Sequence, residues 1–96
     1  MKIYIDIDGT ICNTNGSDYR NSQPILINIE KINKLFDLGN TIIYWSARGM
    51  RSGTNHEDLT KKQLENWNCK YHKLIMNNKP DYDLLICDKT KRIEEV

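Results

Sequence analysis

The fold of this 96-residue chain is decided at residues 1–10, which read MKIYIDIDGT. The stretch from Met1 to Ile7 is rich in isoleucine and tyrosine, which favour extended backbone, and it predicts the first β-strand. Asp6 and Asp8 lie at the end of this stretch, and Gly9 then lets the backbone turn sharply. Because side chains two positions apart on a strand point to the same side, we expect the two carboxylates to form a pair.

Helices and strands alternate along the rest of the chain. Apolar side chains recur at helical spacing over residues 25–38, between Pro24, which suits a first helical turn, and Gly39, which is placed to end the helix. The other predicted elements are a β-branched and aromatic strand over 41–45, a helix over 55–67, and strands over 72–76 and 84–87.

This alternation predicts one α/β domain over residues 1–96, a Rossmann-like three-layer sandwich in which helices wrap a small parallel sheet. The polar segments at 13–23 and 49–58 are predicted to be loops, so no separate cap domain is expected. The last two predicted strands are separated by only about seven residues, whereas a parallel crossover usually takes a dozen or more. Either the predicted strand ends are misplaced or this connection is unusually tight.

Polar side chains follow the predicted strands at the edge where parallel α/β sheets bind their ligands, beyond the carboxyl ends of the strands. They are Asp6, Asp8 and Thr10 after the first strand, Ser46 and Arg48 after the second, Lys79 after the third and Asp88 after the fourth. Four segments far apart in sequence thus bring carboxylates, a hydroxyl and an ammonium group to one edge of the sheet.

The acids after the first strand suggest phosphate chemistry. Two neighbouring carboxylates repel each other, which favours a divalent cation between them or a raised pKa on one of them. A carboxylate can attack phosphorus to form an aspartyl-phosphate, while a second acid protonates the leaving oxygen. Gly9 also exposes backbone N–H groups to an anion.

The motif Asp6-Ile7-Asp8-Gly9-Thr10 resembles the DxDGT motif of the haloacid dehalogenase superfamily of phosphatases. The other strand-end groups, in order, look like the remaining motifs of that family. These are Ser46, a phosphate-binding hydroxyl; Lys79 in Asn-Lys-Pro, a lysine that steadies the phosphoryl charge; and Asp88, an acid that holds magnesium.

This resemblance implies a role for each residue. Asp6 is expected to be the nucleophile and Asp8 the general acid and then the general base, with Lys79 supplying positive charge. Mg²⁺ is expected on an oxygen of Asp6, the backbone carbonyl of Asp8, and Asp88. Arg48 lies close enough to Ser46 in sequence either to contact substrate or to form a structural ion pair.

The chain departs from the family at Cys87-Asp88, where the family usually has two acids. A thiol is a poor ligand for magnesium. If Cys87 stands where the first acid belongs, the metal loses a ligand or Asp88 serves both roles. We expect Cys87 to be a buried filler, with Asp88 as the working ligand.

The composition excludes several classes of function. A net charge of +1 argues against nucleic acid as the main partner, which normally requires a concentrated basic surface. No segment has the apolar length of a membrane span, and the N-terminus lacks the pattern of a signal peptide. The odd number of cysteines, three, suggests free thiols in a reducing compartment, so we expect a cytoplasmic protein. The open site and exposed sheet edges favour a homo-oligomer.

We therefore expect a magnesium-dependent phosphatase acting on a small-molecule phosphate monoester, with a sugar phosphate of polysaccharide biosynthesis as the expected class, since short capless relatives resemble proteins of such pathways. The alternative is a catalytically weak relative that binds a phosphorylated ligand or partner. A signalling receiver domain is a third alternative, but there the phosphorylated aspartate ends the third strand rather than the first.

Overall fold

The computed structural model describes residues 1–50 and 52–76 and the backbone of a strand at 84–86. In chain order the strands are β1 (Lys2–Asp6), β2 (Cys12–Asn13), β3 (Gln23–Pro24), β4 (Thr41–Ser46), β5 (Lys73–Met76) and β6 (Leu84–Ile86), and the helices are α1 (Leu26–Asp37) and α2 (Glu57–Asn66). A single 3-10 turn occupies Tyr19–Asn21.

Four strands form a parallel sheet in the order β5-β4-β1-β6. The four strands predicted from sequence are therefore present, and the class is α/β with a parallel sheet, as expected. β1 lies between two neighbours, so the residues that follow Asp6 lie at the middle of the carboxyl edge. β5 and β6 lie at opposite edges of the sheet, and residues 77–83 between them lie outside the described residues.

Both described helices pack on the same face of the sheet. The core on that face contains side chains from β1, β4, α1 and α2, namely Ile3, Ile5, Ile42, Tyr44, Ile29, Ile32 and Leu64. The opposite face carries a second cluster of Tyr4 and Ile43, with Ile75 beside them. The part of the chain that the structure describes thus forms two layers, and it includes no helix on the face that the predicted third layer would cover.

The segment before α1 differs from the prediction. Residues 13–23 are not wholly a loop, because β2 and β3 pair antiparallel and the 3-10 turn lies between them. Pro24 belongs to β3 instead of the first turn of the helix, which begins at Leu26. The reason is that pairing with β2 keeps the chain extended, and the N–H of Ile25 continues it by donating to the carbonyl of Ile11 over 2.8 Å.

Helix α1 otherwise follows its apolar pattern. Ile29 and Ile32 are buried, and Leu35 and Phe36 pack against the core. The helix ends before Gly39, whose φ of 94° is the left-handed conformation expected of a helix-ending glycine. The predicted apolar pattern extends to residue 38, but Leu38 lies beyond the last helical turn and is 77% exposed.

Candidate active site

The chain reverses sharply after β1 and carries Asp8 off the strand. Asp6 is the last residue of β1, and its Oδ1 accepts a hydrogen bond from the N–H of Ile7 over 3.0 Å. Gly9 has a φ of 85°, which allows the reversal, and its N–H donates to the carbonyl of Cys12 over 2.9 Å. Asp6 and Asp8 therefore lie on either side of the point where the strand ends.

The carboxylate of Asp8 is held by the guanidinium group of Arg48. Nε of Arg48 donates to Oδ2 over 3.0 Å and Nη2 donates to Oδ1 over 2.8 Å, a bidentate pair. The hydroxyl of Thr14 donates to the same Oδ1 over 2.7 Å. The expected repulsion at the acidic motif is thus offset at Asp8 by a cation that the protein itself supplies.

This environment sets the ionisation of Asp8. Burial acts to raise the pKa of its carboxyl group, but hydrogen bonds from Arg48 and Thr14 and the charge on Arg48 outweigh burial, and the pKa is lowered. Asp8 is therefore ionised at neutral pH in the free protein. Of the two outcomes considered for neighbouring carboxylates, a raised pKa does not occur at Asp8.

Arg48 is enclosed by protein, and its side chain is 0% exposed. Beyond the pair with Asp8, Nη1 donates to Oγ1 of Thr60 over 3.2 Å and to Oε1 of Gln63, and Nη2 donates to Oγ of Ser22 over 3.4 Å. With its donors occupied inside the protein, Arg48 has none directed at solvent. Of the two alternatives for Arg48, this geometry favours the structural ion pair, and substrate contact by Arg48 stays a prediction.

Ser46 ends β4 and is buried. Its Oγ accepts a hydrogen bond from the backbone N–H of Arg48 over 3.1 Å, which shapes the turn that follows the strand. A hydroxyl that accepts in this way keeps its own proton for donation. The position at the carboxyl edge of the sheet agrees with the expectation, and the binding of phosphate by Ser46 stays a prediction.

The remaining predicted site residues divide into two groups. Thr10 is buried in the turn, and its backbone carbonyl accepts a hydrogen bond from Nδ2 of Asn28 over 2.9 Å. Lys79, Cys87 and Asp88 lie outside the described residues.

Six residues that surround the Asp8–Arg48 pair were not anticipated from sequence: Cys12, Thr14, Tyr19, Ser22, Thr60 and Gln63. The hydroxyls of Thr14 and Ser22 lie 2.6 Å apart, and the ring of Tyr19 lies 4.9 Å from Cζ of Arg48. Thr60 and Gln63 lie three positions apart on the inner face of α2. Two polar residues at this spacing on the buried face of a helix could have been recognised in the sequence as candidates for a buried hydrogen-bond network. The loop contacts had no comparable signal.

The turn after β1 offers oxygen atoms of the kind that Mg²⁺ prefers, namely carboxylate and carbonyl oxygens. Asp6 supplies a carboxylate. The N–H groups of Thr10 and Ile11 both donate to the carbonyl of Ile7, so neither of them occupies the carbonyl of Asp8. The side chain of Asp8, by contrast, is engaged by Arg48. Within residues 1–50 and 52–76, no three His, Cys, Asp or Glu side chains are grouped for metal binding, and Asp88 lies outside that range.

The loop at 14–22 lines more than one open cavity among the described residues. The first, of about 400 Å³, adjoins Gly9 and is lined largely by amide side chains, those of Asn13, Asn15, Asn21 and Gln23. The second, of about 610 Å³, lies between this loop and the segment after β4, and its lining includes Tyr19, Ala47, Met50 and His56.

Solved structures with similar folds include a structural-genomics target from Vibrio cholerae, with a TM-score of 0.74 and 28% identity over 82% of this chain and 71% of that one. A structure of a Pnkp1/Rnl/Hen1 complex has a TM-score of 0.65 and 22% identity over 84% of this chain. A structure of the Pnkp1/Rnl/Hen1 RNA repair complex has a TM-score of 0.70 and 15% identity over 98% of this chain.

The matched chains of the two complexes are much longer, since this chain covers 29% and 38% of them, and at these identities the likeness concerns the fold alone. No protein-family model matches the chain, and no curated protein does. The comparisons agree with a Rossmann-like α/β fold. Among the described helices, neither α1 nor α2 is long and apolar enough to cross a membrane.

Proposed function

We propose that the protein is a magnesium-dependent phosphomonoester hydrolase of the haloacid dehalogenase type, acting through Asp6. The observation that carries this proposal is the arrangement at the carboxyl edge of the sheet. Asp6 ends β1, and Asp8 follows it in a sharp turn. Ser46 ends the neighbouring strand β4, and Arg48, two residues later, holds the carboxylate of Asp8.

In the proposed reaction, an oxygen of Asp6 attacks phosphorus, the bond between phosphorus and the ester oxygen breaks, and Asp8 gives its proton to the leaving alcohol. Water then attacks the phosphorus of the aspartyl-phosphate, Asp8 takes a proton from the water, and the bond between phosphorus and the Asp6 oxygen breaks, which releases inorganic phosphate and the free Asp6 carboxylate. Ser46 and Lys79 orient the phosphoryl oxygens and offset their charge.

Asp8 must acquire a proton before it can act as an acid, because Arg48 holds its pKa low in the free protein. A phosphate dianion beside the carboxylate opposes that effect, since a nearby like charge raises the pKa of an acid. In this proposal Arg48 positions Asp8 through the ion pair.

Magnesium fits the oxygen donors of the turn and would be held by Asp6, the carbonyl of Asp8 and Asp88. When bound, the ion neutralises negative charge on the phosphoryl group. The amide-lined cavity beside Gly9 supports a hydroxyl-rich leaving group, such as that of a sugar phosphate, because amides both donate and accept hydrogen bonds.

A second candidate function is binding of a phosphorylated ligand with little turnover. The low pKa of Asp8 favours it, because a carboxylate already paired with arginine is a poor proton donor. If Cys87 stands where the family usually has an acid, the missing metal ligand also favours this function.

Hydrolysis of p-nitrophenyl phosphate with magnesium or with EDTA tests the proposal. We expect turnover that requires magnesium and that Asp6→Asn abolishes, with the far-ultraviolet circular dichroism spectrum unchanged. Asp37→Asn is the matched control, since Asp37 is exposed and pairs with Lys70 away from the site over 2.9 Å. Near-normal turnover in Asp6→Asn would exclude Asp6 as nucleophile. No turnover by the wild type, with inorganic phosphate still bound in calorimetry, would favour the binding module.

A further inference from the structure

One amide side chain, that of Gln63 on α2, connects the two segments that hold Asp8. Its Oε1 accepts a hydrogen bond from Nη1 of Arg48, whose Nε and Nη2 hold both carboxylate oxygens of Asp8. Its Nε2 donates to the backbone carbonyl of Tyr19 over 2.6 Å, in the loop between β2 and β3. Gln63 therefore uses both ends of its amide group on the surroundings of the acid.

The same loop reaches Asp8 directly. Thr14 donates to Asp8 over 2.7 Å, its hydroxyl lies 2.6 Å from that of Ser22, and Ser22 accepts from Arg48 over 3.4 Å. The loop, Arg48 and α2 consequently form a closed ring of hydrogen bonds around one carboxylate. Of the three parts of this ring, only α2 is a regular helix. Gln63 is the residue of α2 that bonds both to Arg48 and to the loop.

Because this network is buried, losing one of its hydrogen bonds is costly. Gln63 is 8% exposed and Arg48 is 1% exposed, so a donor that loses its partner there is not rescued by solvent. Thr60 also accepts from Nη1 of Arg48, but its bond is longer, at 3.2 Å, and it does not reach the loop.

We propose that Gln63 is a positioning residue for catalysis, which holds Arg48 and the loop at 14–22 so that Asp8 stays in place to exchange a proton with the leaving group. This proposal rests on the proposed function, in which Asp8 is the general acid. Because Asp8 acts in the chemical step, misplacing it lowers kcat more than it changes KM.

Gln63→Met, which removes both hydrogen bonds and keeps the length of the side chain, tests the proposal with p-nitrophenyl phosphate and magnesium. We expect kcat to fall by about tenfold to a hundredfold, with KM changed by less than about threefold. Gln63→Glu keeps an oxygen for Arg48 but places a charged oxygen against the carbonyl of Tyr19, so we expect it to recover only part of the lost kcat.

The matched control is Asn33→Leu. Asn33 also uses both ends of its amide, since Nδ2 donates to the carbonyl of Asn68 over 2.9 Å and Oδ1 accepts from the N–H of Lys70 over 2.8 Å. Those bonds tie α1 to the segment after α2 and do not touch Asp8 or Arg48. We expect Asn33→Leu to reduce stability and to leave kcat unchanged.

A readout independent of activity is the Nε–H resonance of Arg48 in a nitrogen–proton NMR spectrum. We expect a slowly exchanging signal in the wild type and in Asn33→Leu, and a shifted or exchange-broadened one in Gln63→Met. Gln63→Met with both the resonance and kcat of the wild type would overturn the proposal, as would a loss of kcat matched by Asn33→Leu. If the wild type has no turnover but Gln63→Met alters the resonance, the proposed function fails while the positioning of Arg48 by Gln63 stands.

Discussion

The carboxylate of Asp8 accepts hydrogen bonds from Nε and Nη2 of the Arg48 guanidinium group and from the hydroxyl of Thr14. At the scale of single residues, this pairing links charge to stability. The pKa of Asp8 is lowered in the folded protein, so its contribution is fully present above its unfolded pKa near 3.8. The contribution is lost as the pH falls through the lower folded pKa.

We therefore expect the wild type to lose more stability between about pH 5 and pH 2 than Arg48→Met, in which the partner of Asp8 is gone. The variant should also be less stable at pH 7, by roughly 3–5 kcal/mol, because it breaks a largely buried pair. Urea unfolding in EDTA at several pH values measures both quantities. Equal pH dependence in the two proteins would show that Arg48 does not stabilise the ionised form of Asp8.

At the scale of elements, the turn after β4 depends on a glycine. Gly49 follows Arg48, has a φ of 85°, and is buried. A Cβ atom at this position would lie far inside van der Waals distance of the carbonyl oxygen of Thr54. A residue with a side chain therefore fits this position poorly, both in backbone conformation and in space. The turn also fixes the backbone position from which the side chain of Arg48 reaches Asp8.

We expect Gly49→Ala to destabilise the protein by more than about 2 kcal/mol, through positive φ and steric overlap together. Gly53→Ala is the matched control, because Gly53 also has a positive φ, 72°, but no atom within 4 Å of an added Cβ. Its cost should be about 1 kcal/mol. Thermal unfolding of both variants measures the difference, and equal losses would show that the overlap at Gly49 is relieved by movement of the loop.

At the scale of the whole molecule, β1 joins the core to the candidate site. Ile5 is 0% exposed and lies in the cluster to which both helices contribute, and the next residue is Asp6. Loss of packing at Ile5 is thus expected to affect the stability of the domain as a unit.

Ile5→Ala should cost about 2–5 kcal/mol, from lost burial and the cavity left behind. Ile27→Ala removes the same atoms at a site that is 65% exposed, and should change stability by less than about 0.5 kcal/mol. The free energy of unfolding from urea titration measures both. A small effect at Ile5 would mean that the core closes around the smaller side chain.

Much of this fold follows from sequence. Strand and helix positions depend on local patterns, such as the apolar spacing before Gly39 and the isoleucines before Asp6, so they were predicted to within a few residues. The acidic motif and Ser46 were predicted to lie at strand ends because parallel strands share one carboxyl edge. Their chemical roles, with those of Lys79 and Asp88, stay predictions.

The partners of these groups could not be obtained in the same way. Arg48 binds Asp8 across 40 positions of sequence, and Gln63 reaches Tyr19 across 44. Such contacts depend on how α2 and the loop between β2 and β3 settle on the sheet, and no local pattern encodes that placement. Local spacing therefore indicated which residues carry chemistry, whereas folding in three dimensions decided that Arg48 faces inward and that Asp8 is held as an anion, because burial and distance exist only once the chain has packed.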